Sequence, residues 1–225
     1  RKKKHISELD SSKKPMTTCL NKTTSKQESV LRGANIGCEV VLGIDISTSI
    51  TGFAIVADGQ LVHYDSIDLR KFKDVFAKTV AIKEKILDLY EVYQLNNGED
   101  SNFFGESKYP IEHIYIEQPF TFFNSGGSSA KTMATLQKFN GIVSWIVYEV
   151  FEIKPEYIGA SAARKLAGIK VPRGQKAKKV VLEHLLETEP AFNVEYTRHG
   201  NPKPESYDRA DAIVVAHAGY KTETK

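Results

Sequence analysis

The stretch CEVVLGIDISTSITGFAIVADGQLVHYDSID, residues 38–68, decides the fold. Its first part, CEVVLGID, is rich in β-branched residues and reads as a buried strand ending at Asp45. STSITG then turns the chain. GFAIVAD and QLVHYDSID follow as two further strands joined by Asp58-Gly59, a dipeptide suited to a two-residue hairpin. Three antiparallel strands therefore open the fold, and the first of them carries a carboxylate at its end.

Downstream the hydrophobic period lengthens. Residues 73–93, KDVFAKTVAIKEKILDLYEVY, space their apolar positions as an amphipathic helix does. A polar loop, QLNNGEDSNFFGESKYP, separates this helix from IEHIYIEQ, a strand ending at Glu117. PFTFFNSGGSS is a loop, and residues 129–151 are a second long helix holding the single Trp145. KPEYIGA reads as a short strand, with Ser161 capping a brief helix after it. Helices are expected over 175–187 and over 206–220, the last with Ser206 as N-cap. The order βββαβαβαα predicts an α/β fold, a mixed five-stranded sheet with helices on both faces.

Charge is unevenly spread along the 225 residues. Residues 1–37 hold nine Lys/Arg against three Asp/Glu, a balance of +6, whereas the other 188 hold 22 against 25, a balance of −3. The expected organisation is a basic, low-complexity extension over 1–38 and one folded domain over 39–225. The extension suits an organelle presequence remnant, a disordered tail or a nucleic-acid-binding arm. Cys19 and Cys38 lack metal-ligand spacing, which predicts reduced thiols in an intracellular, reducing compartment. No run of ~18 apolar residues is present, so no membrane span is expected.

Near the C-terminus, YDRADAIVVAHA (207–218) sets Asp208 and Asp211 three residues apart at the mouth of an apolar helix. Acids in a first turn complement the helix dipole, and that alone would account for two of them. Asp45 and Glu117 change the expectation. Parallel neighbouring strands bring their carboxyl ends to one edge of the sheet, where sites collect in open α/β folds. A C-terminal helix packed at that edge would add Asp208 and Asp211. Four such carboxylates repel one another unless a hard cation intervenes. Mg²⁺ or Mn²⁺ suits all-oxygen ligands, and two such ions ~3.5–4 Å apart stabilise the attacking and leaving oxygens of a phosphodiester. Ser47, His63, His184, His199 and His217 are read as structural or solvated.

The motifs resemble those of the RuvC-type Holliday junction resolvases of the RNase H-like superfamily. GIDISTSITGFAIV is similar to the family's first-strand signature. YIEQPF resembles its second motif with Glu117 as the acid, LQKFNGIV its Gln-x-x-x-Gly helix, and YDRADAIVVAHA its C-terminal helix. The resemblance spans about residues 40–220. It implies an RNase H-like fold, catalytic and metal-binding roles for Asp45, Glu117, Asp208 and Asp211, a Mg²⁺ or Mn²⁺ cofactor, a homodimer, and nicking of four-way DNA junctions. Phe120 matches the aromatic of the family's junction-contacting loop, with Phe122 and Phe123 close behind. An exposed ring can stack on an unpaired base for ~1–3 kcal/mol.

A second patch, SAARKLAGIKVPRGQKAKKVVL (161–182), contains seven basic residues and no acid. Arg164, Lys165, Arg173, Lys176, Lys178 and Lys179 are its candidate DNA-backbone contacts. By resemblance Lys165 and Lys179 match the family's basic positions best, with Arg164 and Lys178 as the alternatives one residue away. The long 94–110 loop, the RHGNPKPES segment and the basic extension depart from the bacterial pattern. They leave room for a second reading, in which a resolvase-like fold binds structured RNA within a ribonucleoprotein such as an organelle ribosome. A mitochondrion or another organelle is the expected setting. A sugar-kinase-like ATPase also begins with Gly-x-Asp-x-Ser-Thr, but its two lobes need a longer chain.

Overall fold

A computed structural model describes residues 38–94, 110–119 and 130–225. Strands β1 (Val40–Asp45), β2 (Ile50–Ala57) and β3 (Gln60–Asp68) form the antiparallel meander, followed by helix α1 (Val75–Tyr93). Then come β4 (His113–Glu117), α2 (Ala130–Phe151), β5 (Glu156–Ile158), α3 (Ala160–Leu166), α4 (Ala177–Thr188) and α5 (Pro204–Glu223). The sheet order is β3-β2-β1-β4-β5, with β4 parallel to both β1 and β5. Asp58 and Gly59 adopt φ of 48° and 78°, the left-handed pair that a tight hairpin turn requires. No helix among the described residues is long and apolar enough to cross a membrane.

Strand alternation divides the sheet into two apolar faces. Leu42, Ile44, Phe53, Ile55, Ile114 and Ile116 pack with Ile82, Ile86 and Leu89 of α1 and Phe139, Val143 and Val147 of α2. Val41, Ala54, Val56 and Tyr115 meet α3, α4 and α5 on the other face. Each fully buried aliphatic side chain contributes ~1.5–3 kcal/mol, so both faces are strongly held. The same alternation puts Gly43 and Asp45 of β1, and Tyr115 and Glu117 of β4, on the α5 face.

The expected helix starts are corrected at two places, while the three helices expected after β5 are all present. Gly159, not Ser161, is the N-cap of α3. Lys203 is the N-cap of α5, with Pro204 at its first position, and Ser206 lies inside the helix, buried, with its hydroxyl unpartnered. Proline wins there because its fixed φ suits the first helical residue and its missing N–H costs nothing. Asp208 and Asp211 therefore lie beyond the first turn, whose acid is Glu205. The dipole account of the pair fails on this point, since the effect fades within one turn.

Helix α5 is seated unusually close to the sheet. A Cβ on Gly43 would lie 2.4 Å from the Ala216 nitrogen and 2.6 Å from the Ala212 oxygen. On Gly52 it would lie 2.1 Å from the Asp208 carbonyl oxygen. On Gly219 it would lie 2.5 Å from the Tyr115 ring. Polar contacts with β3 and its following turn fix the helix laterally. Arg70 binds Glu205 at 2.7 Å, and Arg209 Nε donates to Ser66 Oγ at 2.9 Å. Gly52→Ala should therefore shift the backbone at Asp208 as well as lower stability, by about 1–3 kcal/mol, the usual cost of overpacking. Thermal unfolding together with divalent-ion titration checks this; unchanged values in both would contradict the close-packing account.

Candidate metal and nucleic-acid site

Asp45 and Glu117 end neighbouring parallel strands, in which Ile44 pairs with Ile116 one residue earlier. Their carboxylates point to the α5 face, where Asp208 and Asp211 arrive one helical turn apart. The four charges act on one another. Burial, then Glu117, then Asp211 push the Asp45 carboxyl well above its ordinary range. Burial, then Asp211, raise Glu117 to about 7, with Lys178 and Arg164 opposing the shift. Burial also raises Asp208 and Asp211, against the pull of Lys178.

Lys178 enters from the first turn of α4. Its Nζ lies 2.9 Å from Asp208 Oδ1 and 3.3 Å from Asp211 Oδ2. Burial works against the ammonium, but Asp211 and Asp208 outweigh it and hold the lysine above its usual range. Of the two adjacent lysines, the structure thus brings Lys178 to the acids. Lys179 instead pairs with Glu183 at 3.5 Å, along the outer side of the helix. Helical phase explains the difference: Lys178 precedes the buried Val181 and Leu182 by three and four residues. This signal is present in the sequence, and a reading by resemblance alone passes over it.

Arg164, in the last turn of α3, is near enough for its charge to act on Glu117 and Asp211. With Lys165 and Lys170 it lines a cavity of about 310 Å³ between α3 and the start of α4, beside Ser161, Ile169 and Ala177. Arg173 is exposed in the intervening turn, and Lys176 is the N-cap of α4, with no side-chain cap bond. Among these residues, Arg164 is the one whose charge reaches the carboxylates. Phe120, Phe122 and Phe123 lie outside the described residues, as does the basic extension through Gly37. The glycines that seat α5, Gly43 and Gly52, were missed as site-forming residues. Their signal was a glycine inside a strand, which often marks close backbone approach.

The ligand set fits a hard divalent cation. It is wholly carboxylate, without Cys or His, and the four acids are opposed by Lys178, by Arg164 and, at Asp208, by Arg70. Burial is the first cause of the raised carboxyls and neighbouring like charge the second, and a bound cation would offset both. Among the described residues, the one trio with ligand atoms all within 4.8 Å is elsewhere: Glu39, His113 and Glu223, at the opposite sheet edge. There His113 Nε2 lies 2.6 Å from Glu39 Oε1, and Tyr115 Oη donates to Glu223 Oε1 at 2.6 Å. Those contacts tie the end of α5 to the strand starts, away from Asp45 and Glu117.

Comparison with known proteins gives the fold. No family model and no curated protein sequence matches the chain. Among solved structures, RuvC of T. thermophilus in complex with a Holliday junction substrate superposes with a TM-score of 0.51 at 14% identity. That match covers 83% of this chain and 95% of the other. A second Thermus thermophilus RuvC structure gives 0.50 at 17% identity, over 82% and 95%. The chain is α/β with a mixed five-stranded sheet, and its fold is similar to that of RuvC.

Where no cation offsets it the acid cluster costs the fold stability, and the sign of that cost with pH is definite. A carboxyl raised from 4.5 to about 7 keeps in the folded state a proton that the unfolded chain releases. The Glu117 contribution is therefore lost as pH rises from 4.5 through 7. Glu117→Gln should match wild type near pH 4.5 and exceed it by about 1–3 kcal/mol above pH 7 without divalent ions. Chemical denaturation across pH measures the difference; a pH-independent offset would show that Glu117 is not titrating in this range.

Proposed function

We propose that the protein is a structure-selective endonuclease that hydrolyses phosphodiesters in four-way DNA junctions. The observation that carries this reading is the convergence of Asp45, Glu117, Asp208 and Asp211, with Lys178 and Arg164 on the same margin. The RNase H-like fold supports it, and the T. thermophilus RuvC neighbour is described with a Holliday junction substrate. In this reading, Asp45, Glu117, Asp208 and Asp211 are the catalytic, metal-holding residues.

The four carboxylates would hold Mg²⁺ or Mn²⁺, which supplies an activated water and charge stabilisation at the leaving oxygen. The chain's own residues do the positioning. Asp45 and Glu117 are fixed by buried strands, and Asp208 and Asp211 by a helix whose backbone touches the sheet. Such mounting keeps ligands near one geometry, as a site with small positional tolerance needs. Arg164, Lys165 and Lys170, with Arg173 and Lys176 beyond them, offer cationic contacts to the DNA backbone on the same side. Phosphate contacts of this kind give affinity that falls with salt.

Purified protein with Mg²⁺ should cut a synthetic four-way junction and leave linear duplex intact. Asp211→Asn should reduce cutting by on the order of 10³-fold, ~4 kcal/mol of barrier, while junction binding survives. Junction or RNA binding without cleavage in Mg²⁺ or Mn²⁺ would overturn the nuclease reading. It would favour a binding component of a ribonucleoprotein.

We also propose a homodimer formed through the solvent side of α1 and α2. Phe76, Val80 and Leu87 on α1 and Trp145 and Tyr148 on α2 are exposed there, with Phe76 at 76% and Trp145 at 63%. Lys83 and Glu149 bridge the two helices at 3.2 Å. A second copy brought up by a twofold axis would meet apolar rings with apolar rings and a cation with an anion. Trp145→Glu combined with Tyr148→Ser should halve the mass seen by light scattering at micromolar concentration. A monomeric wild type would rule the dimer out.

A further inference from the structure

We propose that Lys178 is a displaceable counter-ion that couples cation loading to DNA binding. Its ammonium bridges Asp208 and Asp211, would give them up to a divalent cation, and would then be presented to a substrate phosphate. This rests on the nuclease reading and extends it to how the site is loaded.

Three observations carry it. The first is occupancy, for Lys178 Nζ sits against one oxygen of each helix acid at 2.9 and 3.3 Å. A cation drawing ligands from both acids competes with the ammonium for them. The second is asymmetry of mounting. The side chains of Asp208 and Asp211 are 13% and 12% exposed, on a helix locked against Gly43 and Gly52, whereas that of Lys178 is 57% exposed. The acids are fixed, while the lysine, on a flexible four-carbon stem at the mouth of the site, has somewhere to go. The third is the helix end beneath it. The α4 N-cap, Lys176, gives no side-chain cap bond, and no acid lies in the first turn. A cation at that end opposes the helix dipole and is held there by the anions it faces. Once Asp208 and Asp211 bind a metal, the anion best placed to take over is a DNA phosphate. That phosphate would meet the ammonium and the helix N-terminus together.

A group released by one ligand and used by the other makes their bindings mutually favourable, by the same factor in each direction. Lys179 cannot replace it, because it faces Glu183.

The test is Mn²⁺ titration by calorimetry of the DNA-free protein as wild type, Lys178→Met and Lys178→Arg, each with folding checked by circular dichroism. The methionine variant should bind Mn²⁺ about 3–10-fold more tightly than wild type, a coupling of ordinary size, and the arginine variant should stay near wild type. In Ca²⁺ the gain in affinity for a four-way junction should be larger for wild type than for Lys178→Met. Equal or weaker Mn²⁺ binding by Lys178→Met would overturn the displacement idea and leave the nuclease reading intact. Absence of Mn²⁺ binding in all three proteins would overturn the metal site itself, and the displacement idea with it.

Discussion

The close approach of α5 to the sheet is the constraint on which the rest of the structure depends. A helix normally stands off a sheet by the thickness of its side chains. Here Gly43 and Gly52 remove that thickness on the sheet side, and Ala212, Ala216 and Gly219 reduce it on the helix side. The helix backbone then lies against β1 and β2, so a short aspartate on it can reach the region where β1 and β4 end. Bulkier residues at these positions would keep the fold class and lose the meeting of the acids.

That arrangement sets stability against chemistry. The apolar stripe of α5, with Ile213, Val215 and Ala216 fully buried, favours the seated helix. The seated helix in turn forces Asp208 and Asp211 toward Asp45 and Glu117, where burial and like charge raise all four carboxyls. A sequence optimised only for folding would place an amide or an aliphatic residue at one of them. Local conflict of this kind, kept in an otherwise consistent fold, is what a functional site looks like physically. Lys178 moderates the conflict without abolishing it: one partly solvated ammonium faces two carboxylates and is remote from full compensation of four.

Much of this was legible in the sequence because it rests on short-range patterns. Strand β1 ending at Asp45, the Asp58-Gly59 turn, both long helices and the five-stranded mixed sheet follow from periodicity and turn chemistry. The helix starts were misread where side-chain preference competed with other forces. Ser206 looks like a cap, but Pro204 begins the helix and buries the serine instead. The depth at which α5 seats was not legible, since it depends on glycines in two strands meeting a helix some 160 residues away. The choice between Lys178 and Lys179 could have been made in advance. Val181, Leu182 and Leu185 define the buried face of α4, and of the two lysines Lys178 is in phase with it.

The two faces of the sheet answer different demands. Toward α1 and α2 the core is largely aliphatic and aromatic, Tyr93 included, and α2 also buries Asn140 and Ser144. Toward α5 the packing is thinner, made largely of alanine, glycine and valine, and it ends in four acids. A thick, well-filled layer can leave its outer side apolar without weakening the core, as Trp145 and Tyr148 show. The thin layer leaves its rim to charge, and there Lys178, Arg164 and the α4 terminus gather. Separating the two tasks lets the rigid face hold the strands still while the charged face stays free to carry the exchange of cations proposed for Lys178.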